Sequence, residues 1–230
     1  DQSFVNQMIN ASALDNGLHA GDLKFVDLDG NNKIEQTTSA NDRKDMKVIG
    51  NSLPRYNYNF GISADWYGID FSVLFQGIGK QNWYPGAETS MFWGPYSRPY
   101  ASFIPSDFMS QVWSEENTDA YFPRPRGYVA LGSNRELAVV NTKYLQNLAY
   151  CRLKNLSIGY TLPDKWLSKI GFEKIRVYFS GENLLTFTKL HSDYIDPEQA
   201  SASNSWKTSK SDANIYPWAK TYSFGVDITF

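Results

Sequence analysis

Residues 55–66, RYNYNFGISADW, alternate without a break. Tyr56, Tyr58, Phe60, Ile62, Ala64 and Trp66 fall on one side, and Arg55, Asn57, Asn59, Gly61, Ser63 and Asp65 on the other. A period of two over this length predicts a β-strand with one apolar and one polar face. After the tight turn YGID a second strand sets Phe71, Val73 and Phe75 opposite Ser72, Leu74 and Gln76. A third, NLSIGYTLP, aligns Leu156, Ile158, Tyr160 and Leu162 and stops at Pro163. Upstream of Asn155 its phase breaks, because Arg152 and Lys154 share the apolar register; this predicts a bulge there, or the edge of a bilayer. DKWLSKIGFE reads as a short connector with a helical turn capped by Gly171. The fourth strand, KIRVYFSGENLLTFT, sends Ile175, Val177, Phe179, Leu185 and Phe187 one way, with Asn183 as its outward polar exception. In the fifth, TYSFGVDITF, Tyr222, Phe224, Val226, Ile228 and Phe230 share a face.

The connections between these strands alternate strictly. Short turns (67–69, 163–173) exchange with long irregular stretches (about 79–142, 189–219), the arrangement of membrane barrels with short periplasmic turns and long extracellular loops. On that scheme the first and last strands both run inward and residues 1–53 form an extracellular loop region. Residues 54–230 then supply five barrel strands. Five strands are too few to close, since such barrels begin at about eight. The expectation is an all-β piece from the C-terminal end of a larger antiparallel transmembrane barrel, cut within an extracellular loop. From Tyr222 to Phe230 the chain advances roughly 27 Å at about 3.3 Å per residue, which strand tilt brings near an apolar band of about 25 Å. A soluble sandwich, whose strands also alternate, is the rival.

Composition narrows the choice. Aromatic residues make up 16 % of 230 residues, yet the mean hydropathy is -0.46. No apolar run approaches the ~20 residues of a membrane helix; barrel strands escape that test because lipid-facing and lumen-facing residues alternate. A net charge of -2 and a pI near 5.7 show no basic excess, which argues against nucleic acid as a partner. Cys151 is the lone cysteine, and His19 and His191 lie in no metal-ligand spacing.

Five stretches, GDLKFVDLDGNNKIE, VIGNSLPRYNYNFGISADWYGIDFSVLFQGIGK, YCRLKNLSIGYTLPDKWL, KIRVYFSGENLLTFTKL and YSFGVDITF, together resemble the SusC/RagA class of TonB-dependent outer-membrane transporters of Bacteroidota. The resemblance covers Gly21 to Phe230. It implies a barrel of about 22 strands in outer-membrane lipid, with a plug domain and earlier strands supplied by an N-terminal part. It also implies energy from TonB through that part, and a SusD-like surface lipoprotein that closes as a lid over captured oligosaccharide or peptide. The terminal aromatic strand, with Tyr222, Phe224 and Phe230, resembles the signal read by the outer-membrane assembly machinery.

The most chemical segment is DLDGNNKIE. Asp27, Asp29 and Asn31 stand at offsets 1, 3 and 5, Lys33 offers its carbonyl at 7 and Glu35 stands at 9, as in a calcium loop. Asn32 replaces the glycine of position 6 and Thr38 the carboxylate of position 12. QTTSA separates the loop from NDRK, so Asp42 reaches in only if the loop bulges. The alternative is a plain Asp/Asn/Gly surface turn; if Ca2+ binds, its expected role is to brace the loop. In the first long stretch Trp83, Tyr84, Trp93, Tyr96 and Tyr100 suit stacking on sugar rings. They equally suit packing the loop on itself or against a lid. Catalysis finds little support: His191, Ser192 and Asp193 are adjacent, whereas triads are assembled from separated residues. Glu115 and Glu116 have no partner carboxylate at a predictable distance. The expected function is TonB-dependent import of oligosaccharides or peptides, with no enzyme activity. The rivals are a secreted, calcium-braced β-sandwich that binds glycans and an aromatic-rich hydrolase domain.

Overall fold

The computed structural model describes residues 19–98, 103–132, 136–168, 171–203, 210–211 and 217–230. Its strands are β1 (Arg55–Trp66), β2 (Ile69–Lys80), β3 (Asn82–Pro85), β4 (Gln146–Asn147), β5 (Tyr150–Thr161), β6 (Lys174–Thr188), β7 (Lys210–Ser211) and β8 (Thr221–Thr229). The five predicted strands form one antiparallel sheet in the order β1-β2-β5-β6-β8. The YGID turn closes β1 on β2 through two residues. Tyr67 (φ 48°) and Gly68 (φ 84°) are both left-handed, as a primed hairpin turn requires.

Register turns the alternation of each strand into rows across the sheet. Ile62, Val73, Leu156, Gly181 and Tyr222 share one row, and Ala64, Phe71, Ile158, Phe179 and Phe224 the next. Trp66, Ile69, Tyr160, Val177 and Val226 make a third. The opposite face is polar, and one of its rows is serine on every strand: Ser63, Ser72, Ser157, Ser180 and Ser223. Beside it Arg176 on β6 crosses β5 to Asp70 on β2, with Nε and Nη2 donating over 2.8 and 2.6 Å, and meets Asp227 on β8 at 3.1 Å. The crossing runs over Gly159, where a Cβ would lie 2.5 Å from the Asp70 carboxylate and 2.6 Å from the guanidinium. The apolar rows stay open, with Ile158 42 % and Phe224 83 % exposed. A sandwich would cover this face with a second sheet, and none does so among the described residues.

The phase break in β5 is a bulge. Leu74 pairs with Asn155 but Phe75 with Leu153, so Lys154 is skipped. On the other side Asn155 pairs with Glu182 and Leu153 with Leu185, so β6 absorbs Asn183 and Leu184. Asn183, the polar exception of its strand, is left-handed there (φ 53°) and donates Nδ2 to the Ala219 carbonyl at 3.3 Å. The extra residue sends Leu153 to the apolar face and Arg152 to the polar one. Arg152 then bonds Asp196 (2.5 Å) and Glu198 (2.8 Å), and Lys154 also reaches Glu198 (2.9 Å). Without the bulge both cations would point into the apolar layer.

The chain divides into two compact units that interleave in sequence: Asp1–Asn51 with Trp83–Gln146 and Ser203–Asn214, and Ser52–Asn82 with Asn147–Ala202 and Ile215–Phe230. The second contains the sheet. The first has its own aromatic core, centred on Phe122, whose ring lies 4.7 Å from Phe108, 5.7 Å from Phe92 and 5.9 Å from both Tyr96 and Tyr144. Parallel pairing of Tyr84 with Lys210 and Pro85 with Ser211 joins β3 to β7 in this unit.

Candidate functional site

The DLDGNNKIE loop folds around its own carboxylates. Asp27 accepts from the backbone N–H of Gly30 (2.6 Å) and Asn32 (2.7 Å), and Asp29 from that of Asn31 (3.1 Å). Asn32 holds φ 61° and Gly30 φ 77°, so asparagine takes the left-handed position that a calcium loop gives to glycine. Desolvation is the largest single influence on the Asp27 carboxyl and pushes it up, but the N–H donors of Asn32, Gly30 and Asn31 together with Asp29 outweigh it and hold the group below its ordinary value. The charge of Asp27 therefore persists to lower pH than that of an ordinary aspartate.

The third carboxylate of the cluster is Asp45. Its oxygens accept from the N–H of Leu28 (2.6 Å) and Glu35 (2.7 Å), and one oxygen each of Asp27, Asp29 and Asp45 lie within 4.8 Å of one another. Of the five expected ligands, therefore, the structure gathers Asp27 and Asp29. Asn31 donates Nδ2 to Asp29 and to Glu35, each at 3.1 Å, and accepts from the Lys33 N–H at 2.8 Å. Glu35 also lies 3.8 Å from Lys44. Asp42 pairs with Lys44 at 3.4 Å instead of entering the loop. Three converging carboxylates fit a hard cation that takes oxygen ligands.

A second arrangement, absent from the sequence reading, ties this segment down. The Asp22 side chain, 1 % exposed, accepts from Arg124 Nε (2.9 Å) and Arg126 Nη1 (3.3 Å), and Arg126 also bonds Glu136 at 2.5 Å. Arg124 returns its backbone N–H to the Gly21 carbonyl at 3.0 Å. Gly21 (φ 87°) lies under the Trp113 indole, where a Cβ would come within 2.4 Å. The GD at the head of the motif thus serves as a clamp: glycine for close approach, aspartate for two arginines.

The expected stacking rings are corrected by the structure. Trp83, Tyr84, Trp93 and Tyr96 are at most 1 % exposed, so they present no face to a sugar. Their polar ends bond inward: Tyr84 Oη to the Leu137 carbonyl (2.7 Å), Tyr96 Oη to that of Pro123 (2.5 Å) and Trp93 Nε1 to that of Pro85 (3.3 Å). They are the core that packs the loop on itself, the other role their chemistry allowed. Tyr100 lies outside the described residues. At the far end of the chain Phe224 rests 5.1 Å from Phe179 and Phe230 5.2 Å from Phe172. Tyr222 and Phe230 are exposed.

An open apolar sheet face, a polar reverse face carrying every charged crossing, and long loops with a core of their own define part of the wall of an outer-membrane β-barrel. No family model matches the chain. It is 31 % identical over 212 residues to the TonB-dependent receptor P3 of Formosa agariphila, a match covering 90 % of this chain and 19 % of that receptor. With the TonB-dependent receptor P26 of the same organism it shares 26 % over 227 residues, 96 % of this chain and 21 % of the receptor. Among solved structures it resembles the RagAB peptide importer in the open-open state, with a TM-score of 0.55 and 23 % identity over 85 % of this chain and 19 % of the other. The closed-closed state gives a TM-score of 0.56 at 22 % identity. The chain thus spans about a fifth of the relatives it matches. The likeness to TonB-dependent receptors runs over most of this chain, and the likeness to the RagAB importer is one of fold. By name these relatives are TonB-dependent receptors and a peptide importer.

Proposed function

We propose that this chain forms part of the barrel wall and outer loops of a TonB-dependent importer that carries oligosaccharides or peptides across the outer membrane beneath a SusD-like lipoprotein lid. The observation that carries the reading is the division of the sheet: open apolar rows on one face, and serines with the Asp70–Arg176–Asp227 crossing on the other. A wall between lipid and a wet lumen needs that division. Because the loop aromatics are spent on packing, oligopeptides, the cargo class of the RagAB importer, are the substrates to test first. Fractionation of the native source with a gel of the detergent-extracted outer membrane, unboiled and boiled, tests the reading. The segment should migrate with a larger, heat-modifiable species containing upstream peptides; a soluble monomer without detergent would overturn it.

Two roles belong to this proposal. The Asp27–Asp29–Asp45 loop holds Ca2+ as a brace. In the purified full-length receptor, Asp45→Asn should weaken Ca2+ binding by about tenfold or more, with Asp42→Asn as an unaffected control. Equal affinities for all three proteins would reduce the loop to a plain turn. Tyr222, Phe224 and Phe230 act as the assembly signal. Phe230→Asp should lower the amount of heat-modifiable receptor in the outer membrane several-fold, and wild-type amounts would remove that role.

A further inference from the structure

At the first residues of β5 the polar face of the sheet is covered. Tyr150 and Arg152, both on that face, are 4 % and 2 % exposed. One row deeper the cover ends, and the paired residues Leu74, Asn155 and Glu182 are all exposed. What lies over Arg152 is the chain that leaves β6, within the same compact unit as the sheet. Thr188, on the polar face, accepts the Leu190 N–H through Oγ1 at 3.2 Å, which turns the chain inward. The limb 190–200 is then packed down, with Leu190, Ile195 and Ala200 buried. Four donors converge on Asp196. Its Oδ2 accepts from Arg152 Nη2 and, at 3.4 Å, from the Trp218 N–H, and its Oδ1 accepts from the N–H of Glu198 (2.9 Å) and Gln199 (3.2 Å). Arg152 also donates Nε to Thr186 Oγ1 at 3.0 Å. Arg152 and Lys154, two positions apart on β5, both reach Glu198, which sets this carboxylate over the strand. Asp196 thus joins the outgoing limb, the returning chain at Trp218 and the sheet in one node.

We propose that this limb is a fixed strap inside the outer mouth of the importer, and that it narrows the passage so that cargo is selected by its cross-section. The inference rests on the reading above, in which the polar face lines the lumen. A helical turn, such as the one at Pro197–Ser203, stands about 10 Å off the wall it lies on. That thickness obstructs a branched or folded cargo and hardly affects an extended strand. The strap stays closed because of what its opening would leave behind. Lifting Asp196 and Glu198 away strips a nearly buried guanidinium of both its carboxylates, and a buried charge that loses its partner is strongly destabilising. The two carboxylates that descend from the loop meet two cations that rise from the wall, Arg152 and Lys154. The bulge that brings these cations to the polar face therefore has a task there, as the anchor of the strap.

The test is uptake by cells of the native source that carry the full-length receptor as wild type, Asp196→Ala or the milder Glu198→Gln, which serves alone if the first gives no heat-modifiable band. The probes are fluorescent linear oligopeptides and branched ones, in which two such strands join through a lysine side chain. Linear and branched oligosaccharides are assayed in parallel. Wild type is expected to favour the linear form, and loosening the strap to raise the branched-to-linear uptake ratio several-fold with linear uptake unchanged. Glu182→Gln removes a charge from the open row and leaves the strap intact, so its ratio should stay at the wild-type value. Equal ratios in wild type and strap variants would overturn the proposal, as would an equal rise in Glu182→Gln, which would make the effect one of charge. A wild-type receptor that takes glycans and no peptides corrects the cargo class and still reads the ratio. If wild type imports neither, the import reading itself fails and the strap falls with it, a result visible before any variant is compared.

Discussion

Ile158→Arg is expected to cost the assembled barrel about 2–4 kcal/mol, the penalty of a guanidinium on a lipid-facing strand position near mid-membrane. Ser157→Arg, one residue away, is expected to cost under about 1 kcal/mol, because a lumen-facing side chain reaches water. The contrast follows from the rows: Ile158 sits between Phe71 and Phe179, Ser157 between Ser72 and Ser180. β5 is flanked by strands on both sides, so neither change can be relieved at a sheet edge. Urea titration of the full-length receptor in lipid, followed by the unboiled gel band, measures both variants. Equal stabilities would mean that the open face does not meet lipid.

Phe122→Ala should destabilise the loop unit by about 3–5 kcal/mol, the range for removing a large aromatic side chain from a packed core. Phe122 is 2 % exposed and lies among Phe92, Tyr96, Phe108 and Tyr144. The unit contains the clamp and the carboxylate loop but not the sheet, so the damage should stay local. Limited proteolysis in intact cells would read it as faster cleavage between residues 83 and 146, with the heat-modifiable barrel band unchanged. Unchanged cleavage would show that the aromatic cluster does not hold the loop together.

The sheet was legible in the sequence because strand alternation is local: each residue announces its face through its neighbours two positions away. Even the bulge showed itself, as two cations, Arg152 and Lys154, in an apolar register. The loops were less legible because their determinants are distant. Trp93 and Tyr96 read the same whether their faces meet a sugar or Phe122, and only the fold that brings residue 122 against them decides. Asp45 lies beyond the span of the calcium-loop template that gathers Asp27 and Asp29, and the QTTSA insertion hid its approach. Asp22 meets Arg124 and Arg126 across 102 and 104 residues, and no periodicity reports a contact of that range. The GD that opens the motif was a usable signal, since a glycine marks either a turn or a close approach, and Gly21 serves both, at φ 87° in the His19–Asp22 turn and under the Trp113 indole.

The bulge at Lys154 gives β5 two reading frames. Below it the even-numbered residues Leu156, Ile158 and Tyr160 occupy the apolar face, and above it the odd-numbered Leu153 does. A one-residue insertion or deletion anywhere else along the strand would exchange the faces of every residue beyond it. At the bulge, where one residue is already unpaired, the same change alters only a local kink. Over evolutionary time this barrel wall can therefore change its strand lengths at that point without rewriting the residues on either side.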